Sequence, residues 1–220
     1  MMGRRSIMLI ALTSVALTSV VAGCTSGRPR QIYVLTDAVD TPMDNKAAVG
    51  RTELQLERVM VPDYLDTTEI LSRAGEHELQ SSASGRWAER LSLGIMHALW
   101  ADLAIRLPQD RVVFARAPEK SAEQILVNVD AFDVWPNGHC VLAANWTILA
   151  TDRTVVLATG RGTFVVPPDR SSKPSDGAVV SAMAEALRQL AESIAVAAQA
   201  LPPRADLRER SPDSDRSKRG

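Results

Sequence analysis

The chain has 220 residues, of which 45% are hydrophobic, so its length and composition fit one domain with a buried core. Its 25 lysines and arginines nearly balance its 26 aspartates and glutamates, which gives no electrostatic argument for nucleic acid as a partner. After residue 23, no apolar run is long enough to span a bilayer as a helix.

The first 23 residues predict a lipoprotein signal peptide. A positively charged start and an apolar stretch over residues 7–20 lead into Val21-Ala22-Gly23 and then Cys24. This order is typical of an export signal, and small residues directly before a cysteine resemble a lipobox. We therefore predict cleavage after Gly23 and acylation of Cys24, whose acyl chains would attach the protein to a membrane. An ordinary signal peptide followed by a chance cysteine is the alternative.

The residue after the cysteine bears on the membrane in which the protein resides. In enterobacteria-like sorting, an aspartate at this position would favour retention in the inner membrane. The residue here is Thr25. Thr25 therefore favours the outer membrane over the inner membrane, with the folded domain on the periplasmic face.

Residues 24–30 are polar and contain Gly and Pro, so we interpret them as a short lipidated tether.

The first part of the mature chain predicts short strands and one helix. Alternating or short apolar runs bounded by turn residues predict strands over residues 31–36, 51–61, 67–73 and 77–82. Gly75 favours a hairpin turn between the last two of them. Residues 88–107 predict an amphipathic helix, because leucine or isoleucine recurs every four residues from Leu91, and Pro108 ends it.

The second part of the mature chain predicts strands over residues 111–115, 123–134, 139–150 and 154–166, followed by a helix over residues 177–201. Compact turns join the last three strands, which indicates an antiparallel meander. We therefore predict an α+β fold over residues 31–201. A largely antiparallel sheet carries both amphipathic helices on one face, in two layers, and its other face is exposed or used in assembly. Residues 202–220 are charged and should be disordered.

No catalytic or metal motif stands out, so we predict that the protein is not an enzyme and binds no metal or cofactor. His77, His97 and His139 lie in separate predicted elements without a metal-ligand spacing. A phosphate-binding loop and a nucleophile elbow are both missing from the sequence. Gly160-Arg161-Gly162 lies within a predicted strand and indicates close packing or a bulge. Cys140 lies in an apolar strand pattern and is predicted to be a small buried residue.

Several stretches of the mature chain resemble a known family. In chain order they are Arg30-Gln31-Ile32-Tyr33-Val34-Leu35, Val61-Pro62-Asp63-Tyr64-Leu65-Asp66 with Glu69-Ile70-Leu71-Ser72-Arg73, Gly85-Arg86-Trp87-Ala88-Glu89-Arg90-Leu91, and Arg111-Val112-Val113. Their order and spacing resemble the PqiC-type family, the auxiliary lipoproteins of ABC-type transporters that carry MCE proteins. The resemblance covers about residues 31–200. The family usually has proline where this chain has Arg90, which indicates a helix start shifted by a few residues, and the charged tail from Arg204 is an addition.

The resemblance implies a non-enzymatic role in lipid transport and envelope integrity. It implies that the protein is anchored in the outer membrane, docks an MCE-domain periplasmic protein of an ABC-type transporter, and assembles into a homo-oligomeric ring. Within the matching stretches, the candidate partner-binding residues are Tyr64, Leu65, Arg86 and Trp87, because Trp, Tyr and Arg dominate contact energies when exposed. The alternative is structural: Trp87 packs at the helix start, and Arg86 pairs locally.

Two other functions remain as alternatives. A stand-alone periplasmic lipid-binding carrier or chaperone requires an apolar cavity between the helices and the sheet. A lipoprotein hydrolase requires a nucleophile, a base and oxyanion donors, which the sequence does not display.

Overall fold

A computed structural model describes residues 29–36, 53–114, 122–168 and 175–201. The elements in chain order are β1 (Gln31–Tyr33), β2 (Glu53–Leu56), β3 (Glu69–Arg73), β4 (Leu79–Trp87), α1 (Leu91–Arg106), β5 (Arg111–Phe114), β6 (Glu123–Val134), β7 (Cys140–Leu149), β8 (Val156–Val166) and α2 (Asp176–Gln199). Each of these elements was predicted, with ends that differ by a few residues. The signal peptide, Cys24 and the tail from residue 202 lie outside the described residues.

The strands form two sheets. One has three strands in the order β1-β4-β3, and the other has five in the order β5-β2-β6-β7-β8. The predicted antiparallel meander of β6, β7 and β8 is confirmed. However, β2 runs parallel to both of its neighbours, and β1 runs parallel to β4, so the sheets are mixed and the expected single sheet is divided. Parallel neighbours need long connections, and the chain from β2 to β5 supplies one through β3, β4 and α1.

The two helices cover one face of the five-stranded sheet, which confirms the two-layer α+β arrangement. α2 packs against β7 and β8, and α1 packs against α2 and β5. The buried stripe of α2 includes Met183, Leu187, Leu190 and Ile194, while β7 buries every second residue from Cys140 to Ile148. The opposite face of β6, β7 and β8 carries exposed polar side chains, among them Asn128 and Arg161.

The start of α1 is capped by a residue that precedes β3 and β4 in the chain. Arg90 stands at the N-cap position without a side-chain cap, and Asp66 instead accepts the N–H of Ser92 at 3.2 Å. Partial burial favours a higher pKa for Asp66, but the hydrogen bonds from Ser92 and the charge of Arg90 outweigh it and hold the pKa below its usual value. Asp66 therefore caps the start of α1.

The Gly160-Arg161-Gly162 stretch of β8 marks close packing, as predicted. Gly160 lies opposite Trp146 of β7, and a Cβ atom on Gly160 would lie 2.4 Å from Cζ2 of that indole. A Cβ atom on Gly162 would lie 2.8 Å from Cζ of Phe164. The two aromatic rings therefore occupy the space that side chains on this strand would need.

We expect Gly160→Ala to lower the free energy of unfolding by about 1–3 kcal/mol, because the added methyl group overpacks the site of Trp146. Urea denaturation of the soluble chain from Thr25 measures this change. Gly75→Ala is the matched control, since the nearest atom to a Cβ there is 3.8 Å away. Its effect should stay within about 0.5 kcal/mol. Equal losses in the two variants would contradict the packing argument.

Candidate functional site

Arg30 holds the start of the domain against the three-stranded sheet. Its guanidinium donates to Oε1 of Glu69 at 3.2 Å and to the carbonyl oxygens of Ser82 and Gly85 at 2.9 and 2.6 Å. The hydrogen bond with Glu69 raises the pKa of Arg30 and lowers the pKa of Glu69. Arg30 is six positions after Cys24, so the predicted tether meets the folded domain at this network.

The first residue of α2 joins the same region. The hydroxyls of Ser82 and Ser84 donate to Oδ2 of Asp176 at 2.8 and 2.7 Å. Gly85 allows this approach, because a Cβ atom there would lie 2.5 Å from the same oxygen. A carboxylate in the first turn also interacts favourably with the helix dipole. Arg30, the strand β4 and the helix α2 are therefore connected by polar contacts.

A second polar cluster joins the two sheets. Arg73 of β3 donates to both carboxylate oxygens of Asp133 on β6, at 3.0 and 3.2 Å, and this interaction raises the pKa of Arg73. The Asp133 side chain is only 8% exposed, so the pair is largely removed from water. The guanidinium lies 5.5 Å from the centre of the Trp135 ring, within cation–π distance. Partial burial, and then the charge of Asp133, raise the pKa of the neighbouring Tyr64 phenol.

A cleft of about 530 Å³ opens beside the Arg73–Asp133 pair. Its apolar side is lined by Val134, Trp135, Pro136, Pro168 and Val179. The volume lies in the range of small-molecule pockets. The cleft lies at the junction of the sheets and also reaches the start of α2, because Ala178, Val179 and Ala182 line it. Elsewhere in the layer between the helices and the five-stranded sheet, buried side chains such as Leu142 and Leu187 pack. The carrier alternative therefore retains this cleft as a candidate cavity.

The structure separates the four residues predicted to bind a partner. Leu65 and Trp87 are 3% and 4% exposed and belong to the core, which removes their side chains from the candidate interface. For Trp87, this burial at the start of α1 agrees with the structural alternative. Tyr64 is 45% exposed beside the Arg73–Asp133 pair, and Arg86 is exposed on β4 opposite Ile32 of β1. Two candidates therefore remain available, on separate surfaces.

Cys140 and His97 have structural roles. Cys140 is fully buried, as predicted, and burial followed by the nearby charge of Asp133 raises the pKa of its thiol to about 12. Such a thiol stays protonated and unreactive at neutral pH. Nδ1 of His97 lies 2.8 Å from a carboxylate oxygen of Glu89, and its ring contacts Phe114 edge-on.

A metal site and a membrane-spanning helix each require a particular arrangement of side chains. Within the described residues, no group of three or more His, Cys, Asp or Glu side chains is arranged to hold a metal ion. Over the same ranges, neither helix combines the length and apolar character needed to cross a bilayer.

Comparison with known proteins agrees with the resemblance found in the sequence. The family model described as the ABC-type transport auxiliary lipoprotein component matches residues 33–195. The intermembrane transport lipoprotein PqiC of Escherichia coli K12 is 28% identical over 128 residues, which cover 58% of this chain and 67% of that protein. PqiC of Shigella flexneri matches with the same figures.

Two solved structures share the fold. A protein described as uncharacterized superposes with a TM-score of 0.62 at 20% identity, over 76% of this chain and 97% of its own. A protein from Xanthomonas campestris superposes with a TM-score of 0.60 at 17% identity, over 77% of this chain and 97% of its own. At these identities the two structures support the fold alone.

We expect Arg73→Met to lower the free energy of unfolding by about 3–5 kcal/mol, because it leaves the buried carboxylate of Asp133 unpaired. Adding Asp133→Leu should restore a large part of this loss, since the double variant has no uncompensated charge. The control is Arg188→Met, which removes an exposed pair with Glu185 and should cost at most about 1 kcal/mol. Urea denaturation at pH 7 measures all three. A double variant no more stable than Arg73→Met would contradict the assignment.

Proposed function

Because the chain belongs to the family of ABC-type transport auxiliary lipoprotein components, we propose that it docks an MCE-domain protein of such a transporter to the outer membrane. In this role it is a periplasmic lipoprotein that serves lipid transport and envelope integrity without chemistry of its own. The family match over residues 33–195, together with PqiC relatives named for intermembrane transport, carries this proposal. The family is a transport-auxiliary family and not a family of enzymes.

The anchor of this docking protein is the lipobox cysteine. Acyl chains on Cys24 would hold the chain firmly in a membrane, at about 0.8 kcal/mol per buried CH₂ group. Thr25 at the next position favours the outer membrane. The polar network of Arg30 supports this arrangement, because it ties the end of the tether to β4 through the carbonyl oxygens of Ser82 and Gly85.

For the docking surface we propose the Tyr64 rim, which consists of Tyr64, Arg73 and Trp135 beside the cleft. It brings together the residue types that most often dominate interface energies. Arg73 is held in place by Asp133, so the rim presents a fixed shape to a partner. A preorganised surface loses less conformational entropy on binding than a mobile one.

We expect full-length lipoprotein extracted from membranes to recover an MCE-domain protein in a pull-down with crosslinking and mass spectrometry. Tyr64→Ala should reduce this recovery by about tenfold, because an exposed interfacial tyrosine can contribute more than 1 kcal/mol. Val196→Ala, an exposed site on α2, is the control and should leave recovery unchanged. Recovery of the lipoprotein alone with bound phospholipid would contradict the docking role and favour the carrier alternative.

We further propose that copies of the chain assemble into a homo-oligomeric ring through β8. This strand forms one edge of the five-stranded sheet and is 11 residues long. Val156 and Val165 on it are both more than half exposed. Long edge strands with exposed apolar side chains tend to pair with another chain, and soluble proteins usually protect such edges with lysine or proline.

We expect native mass spectrometry of the lipoprotein in detergent to show a defined oligomer at micromolar concentration. The double variant Val156→Lys/Val165→Lys should shift it to monomer, because charges at a strand edge oppose pairing. Val196→Lys changes an equally exposed valine on α2 and should leave the oligomer intact. A monomer in the unmodified protein, or an oligomer that survives the double variant, would contradict the proposal.

A further inference from the structure

Apolar and basic side chains lie together beside the anchored end of the domain. Ile32, Val34 and Leu93 are 61%, 53% and 37% exposed, although all three are large hydrophobic residues. Arg86 and Arg90 are exposed next to them. We refer to these five residues as the anchor-side patch. Exposed apolar groups that cluster in this way mark interaction sites more often than scattered ones do.

The five residues lie on or directly beside β1, the end of β4 and the start of α1. Ile32 and Arg86 are register partners on β1 and β4, so their side chains lie on the same face of the three-stranded sheet. Val34 and Arg90 line the same small hollow. The N–H of Leu93 donates to the carbonyl oxygen of Arg90 in the first turn of α1.

The patch carries two exposed arginines. Arg90 pairs with Asp66 at 3.6 Å and donates to its carbonyl oxygen at 2.8 Å, yet 63% of its side chain stays exposed. Arg86 makes no ion pair with a described residue, and the nearby carboxylates of Glu69 and Glu89 contact Arg30 and His97. Arg86 is therefore available to an anionic partner, and the apolar side chains beside it favour one with a hydrocarbon layer.

The length of the tether decides which surfaces can reach the membrane. Arg30 is fixed to β4, and only six positions separate it from Cys24, so even a fully extended tether spans about 20 Å. Ile32 follows Arg30 by two residues. The anchor-side patch consequently lies next to the point where the chain leaves for the bilayer.

We infer that the anchor-side patch lies against the membrane in which Cys24 is acylated, and this inference rests on the acylation proposed above. Its apolar side chains enter the headgroup region, and Arg86 and Arg90 face the phosphates of anionic lipids. The acyl anchor and the patch together hold the domain in one orientation on the membrane, so that its other surfaces stay available to protein partners.

Fluorescent labels with lipid-borne quenchers test this contact on the full-length lipoprotein. A polarity-sensitive thiol label is placed at Ile32→Cys, at Leu93→Cys, or at Val196→Cys on the exposed side of α2 as the control. The native cysteines do not interfere, because Cys24 is acylated and the thiol of Cys140 is buried. Vesicles contain phosphatidylethanolamine, phosphatidylglycerol and a nitroxide-labelled lipid. Quenching should be about threefold stronger at the two patch sites than at the control.

A charge reversal tests the role of the arginines. Arg86→Glu should reduce quenching at position 93 about twofold, because the reversed charge repels anionic headgroups. Arg153→Glu reverses another exposed arginine, in the turn between β7 and β8, and should leave quenching unchanged. Replacing phosphatidylglycerol with phosphatidylcholine should remove the difference between Arg86→Glu and the unmodified protein, since the attraction requires anionic lipid.

The outcomes separate this inference from the proposed function. Equal quenching at positions 32, 93 and 196 in protein that floats with the vesicles would overturn the patch and leave the lipid anchor intact. Protein that fails to float would overturn the acylation and, with it, the inference. Crosslinking of position 32 to an MCE-domain protein, without quenching by lipid, would assign the patch to a protein partner and also overturn the inference.

Discussion

The ion pair between Arg73 and Asp133 joins the two sheets, and the arrangement of the rest of the molecule depends on that junction. The three-stranded sheet contains β1, the first strand of the domain, whereas the five-stranded sheet carries the helices and most of the core. Desolvation makes such a pair weak evidence for stability, but its two-point geometry fixes the orientation of both groups. The same pair sets the shape of the Tyr64 rim and of the cleft beside it.

Two polar networks therefore connect distant parts of this domain. The network of Arg30 connects the tether to β4 and to Asp176 at the start of α2, and the Arg73 cluster connects the sheets about an exposed tyrosine. In the proposed function, the first network lies where the chain leaves for the membrane, and the second supports the surface that contacts a periplasmic partner.

Much of the fold was predictable because local sequence patterns determine where its helices and strands form. Alternation along β6, β7 and β8 and four-residue spacing along α1 and α2 gave their type and approximate ends, and compact turns gave the meander. The family followed from short motifs in a defined order. The candidate interface was predicted less well. Two of its four residues, Leu65 and Trp87, are buried, because an aromatic or aliphatic residue in a short motif looks the same whether it contacts a partner or the core.

The sequence by itself predicted the leader and its cysteine. It also determined which segments form helices and which form strands, the burial of Cys140 and the family. Only the tertiary structure decided that the strands divide into two sheets, that β2 lies parallel between β5 and β6, and which partners Arg30 and Arg73 have. These contacts join residues far apart in the chain: Arg30 and Glu69 are 39 positions apart, and Arg73 and Asp133 are 60 apart. Local periodicity reports which side of an element is buried, but it carries no information about which distant element will cover that side.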